Sequence, residues 1–233
     1  MTSKLNVIVA CSDARKAGYH MALAFYESDE LDSFVTTTYM EPKGWIKKKL
    51  KKKFPRLASR YLPGLPSEKV CSVSSIDFIR NVPFLNNPDE YAIQYFDKVV
   101  SRKLNCQTWL LSTLDCCSIY TIERAKKLGI KIGILCVAPS NHAWDKIRKE
   151  ELNIHPSLAD SKDVLLSSPE WIKFRRERDF IHADLLISYS PFIESTLISQ
   201  GVDESKIYVV PKGMDDMGIS KSATPYTLSC VES

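Results

Sequence analysis

Residues 177 to 215 read Glu-Arg-Asp-Phe-Ile-His-Ala-Asp-Leu-Leu-Ile-Ser-Tyr-Ser-Pro-Phe-Ile-Glu-Ser-Thr-Leu-Ile-Ser-Gln-Gly-Val-Asp-Glu-Ser-Lys-Ile-Tyr-Val-Val-Pro-Lys-Gly-Met-Asp. Physically this is helix, strand, helix, strand and turn. Leu185 to Ser188 is a short apolar run of strand length. Ser190 can cap the following helix, with Pro191 at its first position, where the missing N–H costs nothing. Gly201 ends that helix, and Ile207 to Val210 enters the sheet. Pro211-Lys212-Gly213 then turns at the carboxyl edge of the strand, which is where α/β proteins place ligands.

The same alternation extends back to the start of the chain. Leu5 to Cys11 reads as a buried strand followed by a helix over Ala17 to Tyr26. Ser33 to Tyr39 reads as a second strand and Val70 to Val73 as a weak third. Trp109 to Leu114 and Lys131 to Val137 are a fourth and fifth, separated by a helix over Ser118 to Leu128 that Gly129 closes. Short apolar runs with intervening helices indicate parallel strands covered on both faces. Right-handed crossovers then give an α/β fold with a doubly wound, mostly parallel, Rossmann-like sheet. The least regular stretch is Val82 to Asp89. The last 18 residues show neither helical nor strand period, so residues 1–215 are expected as the domain and 216–233 as a tail or truncated linker.

Bulk composition narrows the function classes. The 233 residues are 44% hydrophobic and 26% charged, with a net charge of +4, an ordinary globular composition. Eight glycines are too few for several glycine-rich phosphate loops. Cys11-Ser12-Asp13-Ala14-Arg15-Lys16-Ala17-Gly18 lacks G-x-G-x-x-G, which argues against a dinucleotide enzyme. The seven cysteines form no C-x-x-C pair, so neither a zinc site nor a disulfide framework is expected. The amino terminus has no signal-peptide core and no stretch long enough to span a bilayer. The expected compartment is the cytoplasm.

Residues 183 to 215 closely resemble the A-D-x-x-x-x-x-S-x-x-x-x-x-x-L-x-x-x-G-V-x-x-x-K-I-x-V-x-P-x-G-x-D stretch of glycosyltransferase family 4. The matching positions are Ala183, Asp184, Ser190, Leu197, Gly201, Val202, Lys206, Ile207, Val209, Pro211, Gly213 and Asp215; Lys212 stands where Asn is commoner. Gly18-Tyr19-His20-Met21-Ala22-Leu23-Ala24 is similar to that family's opening loop and helix, with one glycine in place of a pair. Leu62-Pro63-Gly64-Leu65-Pro66 before the third strand also resembles the family. The resemblance implies the N-terminal, acceptor-side half of a GT-B enzyme. Such an enzyme transfers a sugar from a nucleotide-sugar co-substrate to a lipid-linked or polysaccharide acceptor, with retention and without a metal or other cofactor. It also implies a second, donor-binding domain that residues 1–233 do not contain, so the isolated chain is expected to be inactive. The alternative is a non-catalytic subunit that binds an acceptor or a membrane and needs a separate donor-domain polypeptide.

Several side chains are candidates for the acceptor cleft, each with a plainer reading. His20 follows the first strand at the carboxyl edge of the sheet and is either an acceptor contact or a helix-surface histidine. His142, in Ala138-Pro139-Ser140-Asn141-His142, matches a loop where the family places a histidine facing the transferred sugar; its imidazole could hydrogen-bond a hydroxyl or stabilise developing charge. Otherwise it is a first-turn residue of a helix capped by Ser140 or Asn141. Asp115 could hold an acceptor hydroxyl or cap a loop. Gly18, Ser190 and Gly213 are expected to line the cleft. Trp45, Lys47, Lys48, Lys49, Lys51, Lys52 and Lys53 surround an apolar stripe of Ile46, Leu50 and Phe54 at helical spacing. A basic amphipathic helix of this kind suits an anionic membrane surface, each lysine near it contributing about 1 kcal/mol. The plainer reading is a solvated helix packed on its own domain. No second basic patch with interleaved aromatics points to nucleic acid.

Overall fold

The computed structural model describes residues 5–13, 16–40, 60–157 and 168–211. β1 (Val7–Cys11) leads into α1 (Lys16–Glu27) and β2 (Leu31–Thr36). After β3 (Val70–Ser72) come α2 (Ser75–Arg80) and α3 (Pro88–Ser101), then β4 (Trp109–Thr113), α4 (Tyr120–Leu128) and β5 (Ile132–Cys136). Two further helices, α5 (Asn141–Ile154) and α6 (Glu170–His182), precede β6 (Leu185–Ser188), α7 (Pro191–Ile198) and β7 (Ile207–Val209). The strands form one seven-stranded sheet in the order β3-β2-β1-β4-β5-β6-β7, and every pairing is parallel. Among the described residues the expected mostly parallel sheet is therefore wholly parallel, Rossmann-like and doubly wound.

The two-residue period of the strands sorts the core into two layers. Ile8, Ala10, Leu110, Ile134 and Leu186 point to one face, where Phe96 of α3, Ile122 of α4, Phe180 of α6 and Leu197 of α7 cover them. Val7, Val9, Cys11, Phe34 and Leu111 point to the other, against Tyr19 and Ala22 of α1. Four cysteines (Cys11, Cys116, Cys117 and Cys136) are buried in this core. Burial pushes the thiols of Cys11, Cys117 and Cys136 well up, away from the thiolate form.

Element positions follow local chemistry closely, and the largest shift is in the second strand. The second strand runs from Leu31 to Thr36 rather than Ser33 to Tyr39. Beyond Thr36 the ladder gives way to side chains: the Ser72 hydroxyl donates to the Thr37 carbonyl (3.0 Å), and the Thr38 hydroxyl donates to Asp77 (2.6 Å). Of the irregular stretch from Val82 to Asp89, Val82 to Asn87 lie in the turn between α2 and α3, and Pro88 and Asp89 are already helical. Phe84 and Asn87 there take left-handed backbones, and Pro88 opens α3. No helix among the described residues is long and apolar enough to cross a membrane. The basic segment from Trp45 to Lys53, Gly213 and the expected tail at 216–233 lie outside the described residues.

Candidate functional site

β1 and β4 are neighbours in the sheet, Ala10 opposite Ser112, yet the chain leaves β1 towards one edge and β4 towards the other. At such a switch point the following loops diverge and open a crevice at the carboxyl edge. Here the crevice holds a cleft of about 430 Å³. Ser12 and Asp13 line it from the end of β1, Leu114 and Asp115 from the end of β4. Arg80, Asn87, Asp89 and Glu90 come from α2, the turn and the start of α3, and Trp171 from the first turn of α6.

Asp115 anchors this cleft. Its backbone is left-handed (φ 73°), and α6 holds it there by three routes. Its amide donates to Asp179 Oδ2 (2.8 Å), and its carbonyl accepts from Arg175 Nε (2.6 Å). Its carboxylate lies in the fork of Arg176, with Nε at 3.0 and 3.1 Å and Nη2 at 3.1 Å. Arg176 Nη1 reaches on to Asn141 Oδ1 (2.9 Å) at the start of α5. A bidentate guanidinium–carboxylate pair fixes direction as well as distance, so the loop after β4 and the helix after β5 are held in one geometry.

Behind Asp115 the polar groups are fully buried. Arg175 Nη2 donates to Asp97 Oδ2 (2.8 Å) and to the Cys116 carbonyl (3.1 Å). Asp97 also accepts the amides of Ile119 and Thr121, both at 2.9 Å. It thereby caps α4 from α3, where the local N-cap residue, Ile119, has no capping side chain. Asp179 is sealed from solvent, and its Oδ1 has no hydrogen-bond partner among the described residues. Burial, then the nearby Asp115 carboxylate, push its pKa up to about 7, against the pull of Ser118, the Asp115 amide and Arg175. Chemically the cleft offers carboxylate oxygens as acceptors for hydroxyl groups, together with the indole of Trp171 in its lining. No group of three or more His, Cys, Asp or Glu side chains among the described residues is arranged to hold a metal ion.

Of the residues proposed from sequence, Asp115 lines this cleft. His142 is exposed in the first turn of α5, next to the Asn141 that Arg176 holds. His20 is exposed on α1. Ser190 caps α7, its hydroxyl accepting from the Ile193 amide (3.3 Å). Gly18 is buried against β1, where an added Cβ would come within 2.6 Å of Cys11 Cβ and 2.7 Å of its Sγ; that packing requires glycine. The positions of the 183–211 stretch are joints of the sheet. The Asp184 carboxylate accepts from the Ile132 amide (2.9 Å) and Lys131 Nζ (3.0 Å), Lys206 Nζ donates to the Ala183 carbonyl (3.2 Å), and Gly201 is left-handed. The sequence reading missed Arg175, Arg176, Asp179 and Trp171. Their signal was the spacing of Arg175 and Asp179, four apart and so on one face of α6.

No protein-family model and no curated protein matches this chain. Several solved structures are similar to it. UDP-N-acetylglucosamine 2-epimerase from Rickettsia bellii matches at 14% identity with a TM-score of 0.46, over 88% of this chain and 44% of that one. UDP-GlcNAc 2-epimerase from Methanocaldococcus jannaschii matches at 14% identity and a TM-score of 0.44, over 88% and 45%. UGT2 of Phytolacca americana, complexed with UDP-2fluoro-glucose and pterostilbene, matches at 11% identity and a TM-score of 0.43, over 91% and 55%. The chain spans about half the length of these structures.

Proposed function

We propose that this chain is the acceptor-side domain of a GT-B glycosyltransferase of the family 4 type, which transfers a sugar from a nucleotide-sugar to a glycan or lipid-linked acceptor with retention. The observation that carries the reading is the switch-point cleft between β1 and β4, lined by Trp171 and by Asp115, which the Arg176 fork holds. A fixed carboxylate and an indole lining one cleft suit a sugar, whose hydroxyls need acceptors and whose C–H face needs an apolar surface. The sequence resemblance over residues 183 to 215 supports the same reading. His142 stands at the same sheet edge and is the candidate for contact with the transferred sugar. The donor is expected to be held mainly by a second Rossmann-like domain, on this or another polypeptide. The basic segment from Trp45 to Lys53 is expected to favour an anionic membrane surface on the cytoplasmic side.

Saturation-transfer NMR with a panel of neutral oligosaccharides tests the cleft directly. Binding is expected for at least one glycan, with contact to the Trp171 indole and a loss of about tenfold or more in Asp115→Asn and Trp171→Ala. Absence of glycan binding, or binding that both substitutions leave intact, would overturn the assignment. Nucleotide release from a UDP-sugar in the presence of a bound glycan and a donor-domain polypeptide then tests transfer itself.

A further inference from the structure

The turn between α2 and α3 reads Asn81-Val82-Pro83-Phe84-Leu85-Asn86-Asn87 and carries no charge. At its tip Phe84 has a relative exposure of 102%, so it touches almost nothing of its own chain, and its backbone is left-handed at φ 69°. A bulky residue resists that backbone, and a phenyl ring resists full hydration. Both are held against their own preference. Phe78, on α2, is 76% exposed. On α3, Tyr91 and Tyr95 are 52% and 41% exposed, and four residues apart they share one outward face. The tip is braced: the Asn81 amide donates to the Phe78 carbonyl (3.0 Å) and the Val82 amide to the Ile79 carbonyl (3.2 Å). Arg80 Nε reaches Asp89 Oδ1 across the turn at 3.1 Å.

We propose that this turn is a membrane-inserting wedge, with Phe84 and Phe78 entering the acyl–headgroup boundary of a bilayer and Tyr91 and Tyr95 lying at headgroup level. The shape argues for lipid over protein. Phe84 on the tip and Phe78 on α2 offer about 150–250 Å² each, well short of the roughly 800 Å² per partner that a stable protein interface takes. A bilayer needs no shaped counterpart. It accepts an apolar protrusion, with tyrosines at the depth where one end of the ring is apolar and the other wet. The wedge differs from the basic segment in its physics. Lysines attract an anionic surface through charge, whereas an uncharged tip inserts into neutral lipid as well.

The placement has a consequence for the cleft. Asn87 ends the wedge turn, Asp89 and Glu90 follow in the first turn of α3, and all three line the cleft between β1 and β4. Insertion of Phe84 therefore brings the cleft mouth to the bilayer surface, where a lipid-linked acceptor presents its headgroup. Insertion itself rests on Phe84 and Phe78 alone; only its use for an acceptor rests on the function proposed above.

Flotation of the full chain with neutral phosphatidylcholine vesicles, and with vesicles containing anionic phosphatidylglycerol, tests the wedge. Both are expected to carry the protein. Phe78→Ser combined with Phe84→Ser is expected to cut partitioning about tenfold or more with an unchanged unfolding midpoint, since both rings are exposed. In a Phe84→Trp variant, brominated acyl chains should quench the extra indole emission. No binding to either vesicle overturns the wedge, as does binding that the double substitution leaves unchanged. Binding only to anionic vesicles, abolished by neutralising Lys47 to Lys53 and indifferent to Phe84, overturns it in favour of charge alone. None of these outcomes depends on whether a glycan binds the cleft, so the wedge and the transferase reading fail separately.

Discussion

Asp115 adopts a left-handed backbone, which costs a residue with a Cβ about 1–2 kcal/mol. The conformation persists because Arg175, Arg176 and Asp179 each hold a different part of the residue. Asp179 makes that hold depend on pH. In the folded chain its proton leaves at about pH 7, whereas an unfolded aspartate releases it near about pH 4. Between those values the folded state binds more protons than the unfolded one. This group's contribution to stability is therefore full below about pH 4 and is lost as pH rises through about 7, a difference on the order of a few kcal/mol. Asp179→Asn keeps an acceptor for the Asp115 amide and has no proton to lose. Urea unfolding at about pH 5 and about pH 8 should show that fall in the parent chain and a flatter profile in the variant. Equal profiles would mean that Asp179 is already charged when folded.

At the scale of elements, the parts legible in the sequence were those built from neighbours in the chain. Ser190 with Pro191 starts α7, Gly129 closes α4 in a left-handed conformation (φ 66°), and Gly201 follows α7 at φ 85°. Each needs a particular residue within one turn of the helix end, so a local reading finds it. α4 shows the opposite case, since its cap is Asp97, 24 residues before the Thr121 amide it accepts. Capping also gives Ser190 a role separable from the cleft. Ser190→Ala should cost about 1 kcal/mol of stability while Ser190→Asp retains most of it, read as denaturation midpoints. If Ser190→Ala instead weakened glycan binding and left the midpoint unmoved, the residue would belong to the cleft. Arg175 and Arg176 were not legible as site residues. Five charges within Arg175-Arg-Glu-Arg-Asp179 pattern like a solvated helix face, and only the packing of α6 under the loop after β4 buries two of them.

For the molecule as a whole, strand order predicts where stability concentrates. β1, β4 and β5 lie inside the sheet and carry fully buried residues such as Ile8, Val9, Leu110 and Ile134. β3 and β7 are its edges and are only three residues long. Native-state hydrogen exchange should be slowest for amides of Val7–Cys11, Trp109–Thr113 and Ile132–Cys136 and fastest in the two edge strands. Comparable rates at edge and centre would contradict a single cooperative sheet. The sequence by itself determined the α/β class, the parallel strands and the helix ends, because apolar periodicity, caps and glycine positions depend on residues a few places apart. Only the tertiary structure decided which side chains share the cleft. Asp115 meets Asp179 across 64 residues and Arg176 across 61, and Arg175 meets Asp97 across 78. Hydrogen bonds and charge pairing act over a few ångströms of space, and no local pattern records which distant residues the crossovers bring that close.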